Sequence, residues 1–186
     1  MLAGAAGLLL ACSDRQESFT SVDVTGAEYA RHFELTDHNG QLRRLSDFVG
    51  KVVVIFFGYT QCPDVCPTTL SDLTAVKKML GADGDRLQVL FVTLDPQRDT
   101  PEVLKPYMLN FDPGFLALRA TPEKLPELAK EYKIYFNKVE GKTATSYTID
   151  HSAGSYVYDT KGRLRLFMRY GTETAALARD IQMLLK

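Results

Sequence analysis

From about residue 32 onward, the alternation of apolar and polar positions divides the chain into strands and helices. Val52-Val53-Val54-Ile55-Phe56-Phe57 is an unbroken β-branched and aromatic run between Gly50 and Gly58, the pattern of a strand buried on both faces. Upstream, Phe33-x-Leu35-x-Asp37, then Asn39-Gly40, then Leu42-x-x-Leu45 predicts a β-hairpin with an Asn-Gly turn. After a loop from Gly58 to Cys66, Pro67 stands where a helix can begin. Leu70, Leu73, Val76 and Leu80 then recur at helical spacing up to Gly81. A second apolar run, Leu87 to Leu94, ends at Asp95-Pro96. Thr100-Pro101-Glu102 supplies an N-cap and a first-turn proline for the next helix, in which Pro106 predicts a kink or an early end. Phe115 to Leu118 predicts a short strand, and Thr121-Pro122-Glu123 opens a helix to about Tyr132.

The last third changes character. Ile134 to Val139 and Thr145 to Ile149 flank Glu140-Gly141-Lys142, and Ser155 to Tyr158 and Leu164 to Met168 flank Asp159-Thr160-Lys161-Gly162, so both pairs predict hairpins. Leu177, Ile181 and Leu184 mark one face of a closing amphipathic helix from Glu173 to Leu185. This order is the one expected of an α/β domain of thioredoxin-like fold. Its central mixed sheet would be flanked by helices, with an N-terminal hairpin and an inserted hairpin before the loop that carries His151. A fold of this kind leaves function open.

Ahead of that domain the chain is different. Leu2 to Ala11 is apolar, but at ~1.5 Å per residue it covers only about half of a ~30 Å hydrocarbon core. It has the form of a signal-peptide apolar region, and Leu9-Leu10-Ala11-Cys12 followed by a polar run resembles a bacterial lipobox. The expected organisation is a signal peptide over residues 1–11, a lipidated Cys12 with a flexible tether to residue 31, and one domain over 32–186. Acyl chains on Cys12 would anchor the protein to a bacterial cell membrane, facing the periplasm or the exterior.

Charge narrows the partners. Lys and Arg total 22 against 23 Asp and Glu, with no basic block to follow a phosphate backbone, so nucleic acid is excluded as a partner. Hydrophobic residues at 45% and charged residues at 24% are ordinary globular values and point to one packed domain.

With Cys12 assigned to lipidation, the other two of the three cysteines form a pair. Cys62-Pro-Asp-Val-Cys66 is one residue longer than the C-x-x-C of dithiol oxidoreductases, and a helical turn would bring positions i and i+4 to one side. Cys66, just before Pro67, is placed at a helix N-terminus that favours a thiolate. Two cysteines in an exported protein are more often a structural disulfide. A bridge closing so short a loop, however, removes little chain entropy and would staple poorly. His151 precedes the strand that, in thioredoxin-like domains, starts beside the cysteine loop. His32 and His38 have no such neighbours and are read as ordinary surface or core residues. Two thiolates and an imidazole are a soft set suited to copper, as Cu(I) or Cu(II), and are one ligand short of a closed structural zinc site.

Three motifs then carry a family resemblance. Gly58-Tyr-Thr-Gln-Cys62-Pro-Asp-Val-Cys66-Pro67, Asp95-Pro-Gln-Arg98-Asp99-Thr-Pro101 and Tyr147-x-x-Asp150-His151-Ser152 resemble the signatures of the Sco (SenC/PrrC) family, over roughly Phe33 to Leu185. The resemblance implies a copper metallochaperone rather than an enzyme, with Cys62, Cys66 and His151 as metal ligands. Its implied target is the copper-A-containing subunit of cytochrome c oxidase during assembly, and other copper chaperones or thiol-disulfide oxidoreductases are implied partners. It also implies that the two cysteines can cycle between dithiol and disulfide. Family members commonly carry a transmembrane helix where this chain has its lipobox. Asp95, Arg98, Asp99 and Asp150 fall in the motifs as supporting residues. The main rival is a membrane-anchored thiol-disulfide oxidoreductase that reduces a cuproprotein's cysteines through Cys62 and Cys66 as a redox pair, with no need of His151. A peroxidase is disfavoured because Tyr59 and Pro63 stand where a threonine would be wanted, and a binding module with a spent disulfide would take up no copper.

Overall fold

The structure, a computed structural model, describes residues 18–143 and 146–186. Cys12 and Thr145, the predicted start of a strand, lie outside the described residues. The fold is built around β4 (Val52–Gly58), whose seven residues are all buried. Because side chains alternate across a strand, Val52, Val54 and Phe56 feed one apolar cluster and Val53, Ile55 and Phe57 the other. On the first face lie α1 (Val65–Met79), α2 (Pro101–Leu109) and α4 (Thr174–Leu185), through Leu70, Leu73, Leu104, Leu177 and Ile181. The second face is covered by α3 (Leu125–Glu131), with Leu125, Ala129 and the following Tyr132, and by Phe33 and Phe48 from the N-terminal region. Each fully buried side chain of this size contributes about 1.5–3 kcal/mol relative to exposure.

β4 pairs in parallel with β5 (Leu87–Thr93), and β5 with β6 (Leu116–Arg119), so α1 and α2 are crossover helices. On its other side β4 pairs antiparallel with β9 (Ser155–Tyr158), Phe56 opposite Ser155, and β9 with β10 (Leu164–Met168), Met168 opposite Ser155. The N-terminal hairpin is β2 (Glu34–Asp37) and β3 (Leu42–Arg44), and it joins the sheet through β2 and β6. Asp37 Oδ1 accepts from the Asn39 and Gln41 N–H groups and closes its turn. With β1 (Val22–Asp23) the sheet has eight strands in the order β1-β10-β9-β4-β5-β6-β2-β3. The inserted hairpin, β7 (Phe136–Glu140) and β8 (Tyr147–His151), forms a separate two-stranded sheet. This is the thioredoxin-like α/β arrangement expected.

Three expectations need correction. Residues 20–31, assigned to a flexible tether, are held on the domain. β1 pairs with β10, Thr20 and Ser21 donate to the buried Asp180 carboxylate at 2.9 and 2.7 Å, and Tyr158 Oη donates to the Ala30 carbonyl at 2.6 Å. Partners so distant in sequence leave no local periodicity to read. The helix after Thr121 is regular only from Leu125: the Thr121 carbonyl accepts from the Lys124 and Leu125 N–H groups as a helix start would, but Pro126 has no N–H to continue the ladder to Pro122. His151 is the last residue of β8, opposite Phe136, rather than part of a loop. Pro106 lies inside α2, which ends three residues later.

Asp180→Ala leaves the Thr20 and Ser21 N–H groups without their carboxylate. It should cost about 1–3 kcal/mol in urea unfolding, with faster amide exchange confined to residues 20–23. A loss spread evenly over β4 and β5 would contradict this local role.

Candidate metal centre

β4 ends at Gly58, and a turn in which the Cys62 N–H donates to the Tyr59 carbonyl (3.2 Å) leads into α1, whose N-cap is Asp64. Cys66 is the second helical residue and Pro67 the third. The missing proline N–H costs nothing there, since the first four N–H groups of a helix have no intrahelical partner. The sulfurs are therefore brought together by a turn followed by a helix start, not by one shared helical turn. Both are free thiols, Cys66 buried and Cys62 half-buried against both apolar clusters. Gly58 passes directly beneath them. A Cβ there would stand 2.7 Å from Cys66 Sγ and 2.9 Å from the Phe91 ring, so the close approach of strand to sulfur depends on a residue without a side chain.

His151 closes the cluster from the opposite side. Its Nδ1 lies 2.9 Å from the Ser152 carbonyl oxygen, which can only accept, so Nδ1 carries the proton of the neutral ring. Nε2 is thereby left facing Cys66 Sγ at 3.7 Å. Ligand atoms of Cys62, Cys66 and His151 all lie within 4.8 Å of one another, the only such cluster of potential metal ligands among the described residues. The Tyr59 ring meets the imidazole edge to face at 6.0 Å. His32 is exposed, and His38 Nδ1 accepts from the Ala117 N–H at 3.0 Å, so neither takes part.

The electrostatics depart from expectation. Burial pushes the Cys66 thiol well up, outweighing a hydrogen bond from the Tyr59 backbone, and the neighbouring Cys62 and Asp99 act in the same direction. The helix start does not produce a resting thiolate, because desolvation inside the core is the larger effect. Burial likewise pushes the Asp99 carboxyl up, against hydrogen bonds from Thr60 and Thr93.

Of the supporting residues, Asp99 is fully buried and ties the cysteine loop to β5, accepting from the Thr60 N–H (3.1 Å), Thr60 Oγ1 (2.5 Å) and Thr93 Oγ1 (2.6 Å). Asp95 accepts from Arg98 Nε and from Tyr147 Oη (2.8 Å). Arg98 Nη1 donates to Gln61 Oε1 and to the Tyr147 carbonyl, both at 3.0 Å. Asp150 points outward on β8 and has no hydrogen bond to the described residues around the cluster. Sequence reasoning assigned no role to Tyr147, Thr60 or Thr93. Their work is done by single hydroxyls meeting carboxylates, which leave no spacing signal. Thr60 and Tyr147 do stand inside the matched motifs, and Gly58 between strand and cysteine loop was a further readable hint.

Comparison with known proteins places this geometry in context. The SCO1/SenC family model matches residues 22–186. A SCO2-like protein of Rickettsia prowazekii is 37% identical over 132 residues, 70% of this chain and 64% of that protein. Against the Rickettsia relatives the matched stretch thus spans slightly under two thirds of their length. The structure of Bradyrhizobium japonicum ScoI with copper bound is similar at 37% identity and a TM-score of 0.75, covering 82% of this chain and 97% of that one. Yeast Sco1 with copper bound is similar at 32% identity and a TM-score of 0.74, covering 82% and 85%.

The raised Cys66 thiol and its burial predict an order of alkylation. Iodoacetamide under reducing conditions should label Cys62 first and Cys66 slowly. Since the Cys66 thiolate is scarce below its raised pKa, its rate should climb about tenfold per pH unit through the neutral and mildly alkaline range. Peptide mass spectrometry of timed samples measures both, and equal rates at neutral pH would contradict the buried thiol.

Proposed function

The chain belongs to the SCO1/SenC family, and from that premise we propose that it is an extracytoplasmic copper metallochaperone, passing copper to the Cu-A centre of cytochrome c oxidase during assembly. The observation that carries the reading is the convergence of Cys62, Cys66 and His151 within 4.8 Å. Two sulfurs and one imidazole nitrogen suit Cu(I) and Cu(II), and three ligands leave a side open through which a receiving protein's ligands could enter. The relatives whose structures hold copper support it at above 30% identity.

On this reading copper is the cargo. Cys62 and Cys66 supply thiolates, so binding displaces the proton that burial keeps on Cys66, and affinity tightens as pH rises. The Ser152 carbonyl holds the Nδ1 proton and presents Nε2 as the third ligand. An oxidised Cys62–Cys66 pair would offer no thiolate and no site.

One observation favours a second reading. Cys62 is half-exposed and free beside a buried free Cys66, which suits thiol-disulfide exchange. Cys62 would attack a target disulfide, Cys66 would resolve the mixed disulfide, and the target would leave as a dithiol while Cys62–Cys66 is oxidised. Attachment to the membrane is part of the proposal too. Among the described residues no helix is long and apolar enough to cross a membrane, and Leu9-Leu10-Ala11-Cys12 offers a lipidation site upstream.

Anaerobic titration of the reduced chain should give uptake of a single copper. Cys62→Ala and Cys66→Ala should abolish Cu(I) binding. His151→Ala should keep Cu(I), which is content with two sulfurs, yet weaken Cu(II) by at least about tenfold. Thiolate-to-copper charge-transfer absorption reports Cu(II), and competition with a chelator reports Cu(I). No copper uptake by reduced protein, or His151→Ala fully active in vivo with intact dithiol exchange, would move the reading to the oxidoreductase. Labelled palmitate should be incorporated in cells by the wild type and not by Cys12→Ala, and persistent label in that variant would remove Cys12 as the anchor.

A further inference from the structure

The strand that ends in His151 does not belong to the main sheet. β7 and β8 pair only with each other among the described strands, so no ladder of backbone hydrogen bonds ties the strand bearing the imidazole to the main sheet, whose β4 leads into the loop and helix that carry the thiols. Beneath the hairpin there is space. A cavity of about 210 Å3 is lined by Leu94, Pro96, Pro122, Phe136 and Ile149. The apolar footing is correspondingly small: Ile149 is buried, while Phe136 and Tyr147 are only partly so.

Polar contacts concentrate at Tyr147, the first residue of β8. Arg98 Nη1 donates to the Tyr147 carbonyl at 3.0 Å, and the guanidinium lies 3.4 Å from the centre of its ring. Tyr147 Oη donates to Asp95 Oδ1 at 2.8 Å, and Asp95 is ion-paired with Arg98 in turn. Burial and then that bond push the Tyr147 phenol up to about 12, so it remains a donor. The same Arg98 Nη1 reaches Gln61 Oε1, next to Cys62. One side chain thus holds the cysteine loop, the Asp95 turn and the hairpin. Nearer the imidazole, the Tyr59 hydroxyl is hydrogen-bonded to the Ile149 backbone.

We propose that Arg98, Asp95 and Tyr147 form a latch that positions His151, and that the state of this latch decides whether the copper site has three ligands or two. With the latch closed, Nε2 faces the sulfurs. With it open, the hairpin can move over the cavity and carry the imidazole away, leaving the dithiolate pair that suffices for Cu(I). Arg98 and Tyr147 are positioning residues and touch no metal. The inference rests on the copper reading above and deepens it.

The test compares Cu(II) and Cu(I) binding by the reduced full chain as wild type, Tyr147→Phe, Arg98→Met and His151→Ala, plus the Arg98→Met/His151→Ala double variant. Tyr147→Phe removes one hydroxyl and keeps the ring, so it stays informative if Arg98→Met fails to fold. The expected result is Cu(II) affinity reduced about tenfold or more in both latch variants, with the charge-transfer band shifted toward that of His151→Ala. Cu(I) affinity should be unchanged, and the double variant should hold Cu(II) no more weakly than His151→Ala alone, since the latch acts through the imidazole. A merely structural role would lower both oxidation states together and add to the His151→Ala loss. Either that pattern, or an unchanged Cu(II) spectrum in folded Tyr147→Phe and Arg98→Met, overturns the latch. Wild type that takes up no copper overturns the copper reading itself, which is a distinguishable failure.

Discussion

β4 has no polar face, and this constraint organises everything else. All seven of its residues are buried, so each side of the sheet must be covered, by α1, α2 and α4 on one and by α3 and the N-terminal region on the other. A strand covered on both sides can expose chemistry only at its ends. At the carboxyl end the chain must leave the core through a gap between the two covers, and Cys62, packed against both clusters, sits in that gap. Gly58 lets the strand run up to Cys66 Sγ without a clash. The location of the thiols follows from how the core is closed.

Polar groups at the same end are costly, and at Asp99 the structure meets that cost with hydrogen bonds. Asp99 is fully buried and accepts three hydrogen bonds from Thr60 and Thr93. Each buried donor left unpaired would cost about 1–3 kcal/mol, so the carboxylate and the two threonines define one geometry of the cysteine loop. The raised Cys66 thiol belongs to the same economy of burial: a neutral S–H is tolerated in the core where a thiolate with no cation beside it is not. A soft cation is the natural relief for such a thiol, and a disulfide is the other.

Much of this was legible in the chain. The Val52–Phe57 run, the helix with Leu70, Leu73 and Val76, the Asp159–Gly162 hairpin and the closing amphipathic helix all rest on local periodicity, and all are present. Cys62, Cys66 and His151 were singled out from their residue types and from strand order, and the structure brings their ligand atoms together. What escaped reading depends on contacts between distant residues. Asp180 holding Thr20 and Ser21, Tyr158 bonding the Ala30 carbonyl, and Tyr147 bonding Asp95 carry no periodic signal. The protonation of Cys66 was misjudged for a related reason, since a helix start is visible in a sequence but the depth of burial above it is not.

The path of β1 has a directional consequence. Val22 pairs with Phe167 and Asp23 with Leu166, while Met168 pairs with Ser155, and Ser155 faces Phe56 near the end of β4 that bears the cysteines. Followed backward from Val22, the chain leaves the sheet at that same end, three strand spacings from β4, or about 14 Å to the side. The described chain therefore enters the domain at its reactive rim, where Thr20 and Ser21 are tied to Asp180 of α4. The entering chain and the thiols share one rim of the sheet, and the edge formed by β2 and β3 lies at the opposite end of the strand order from the entry.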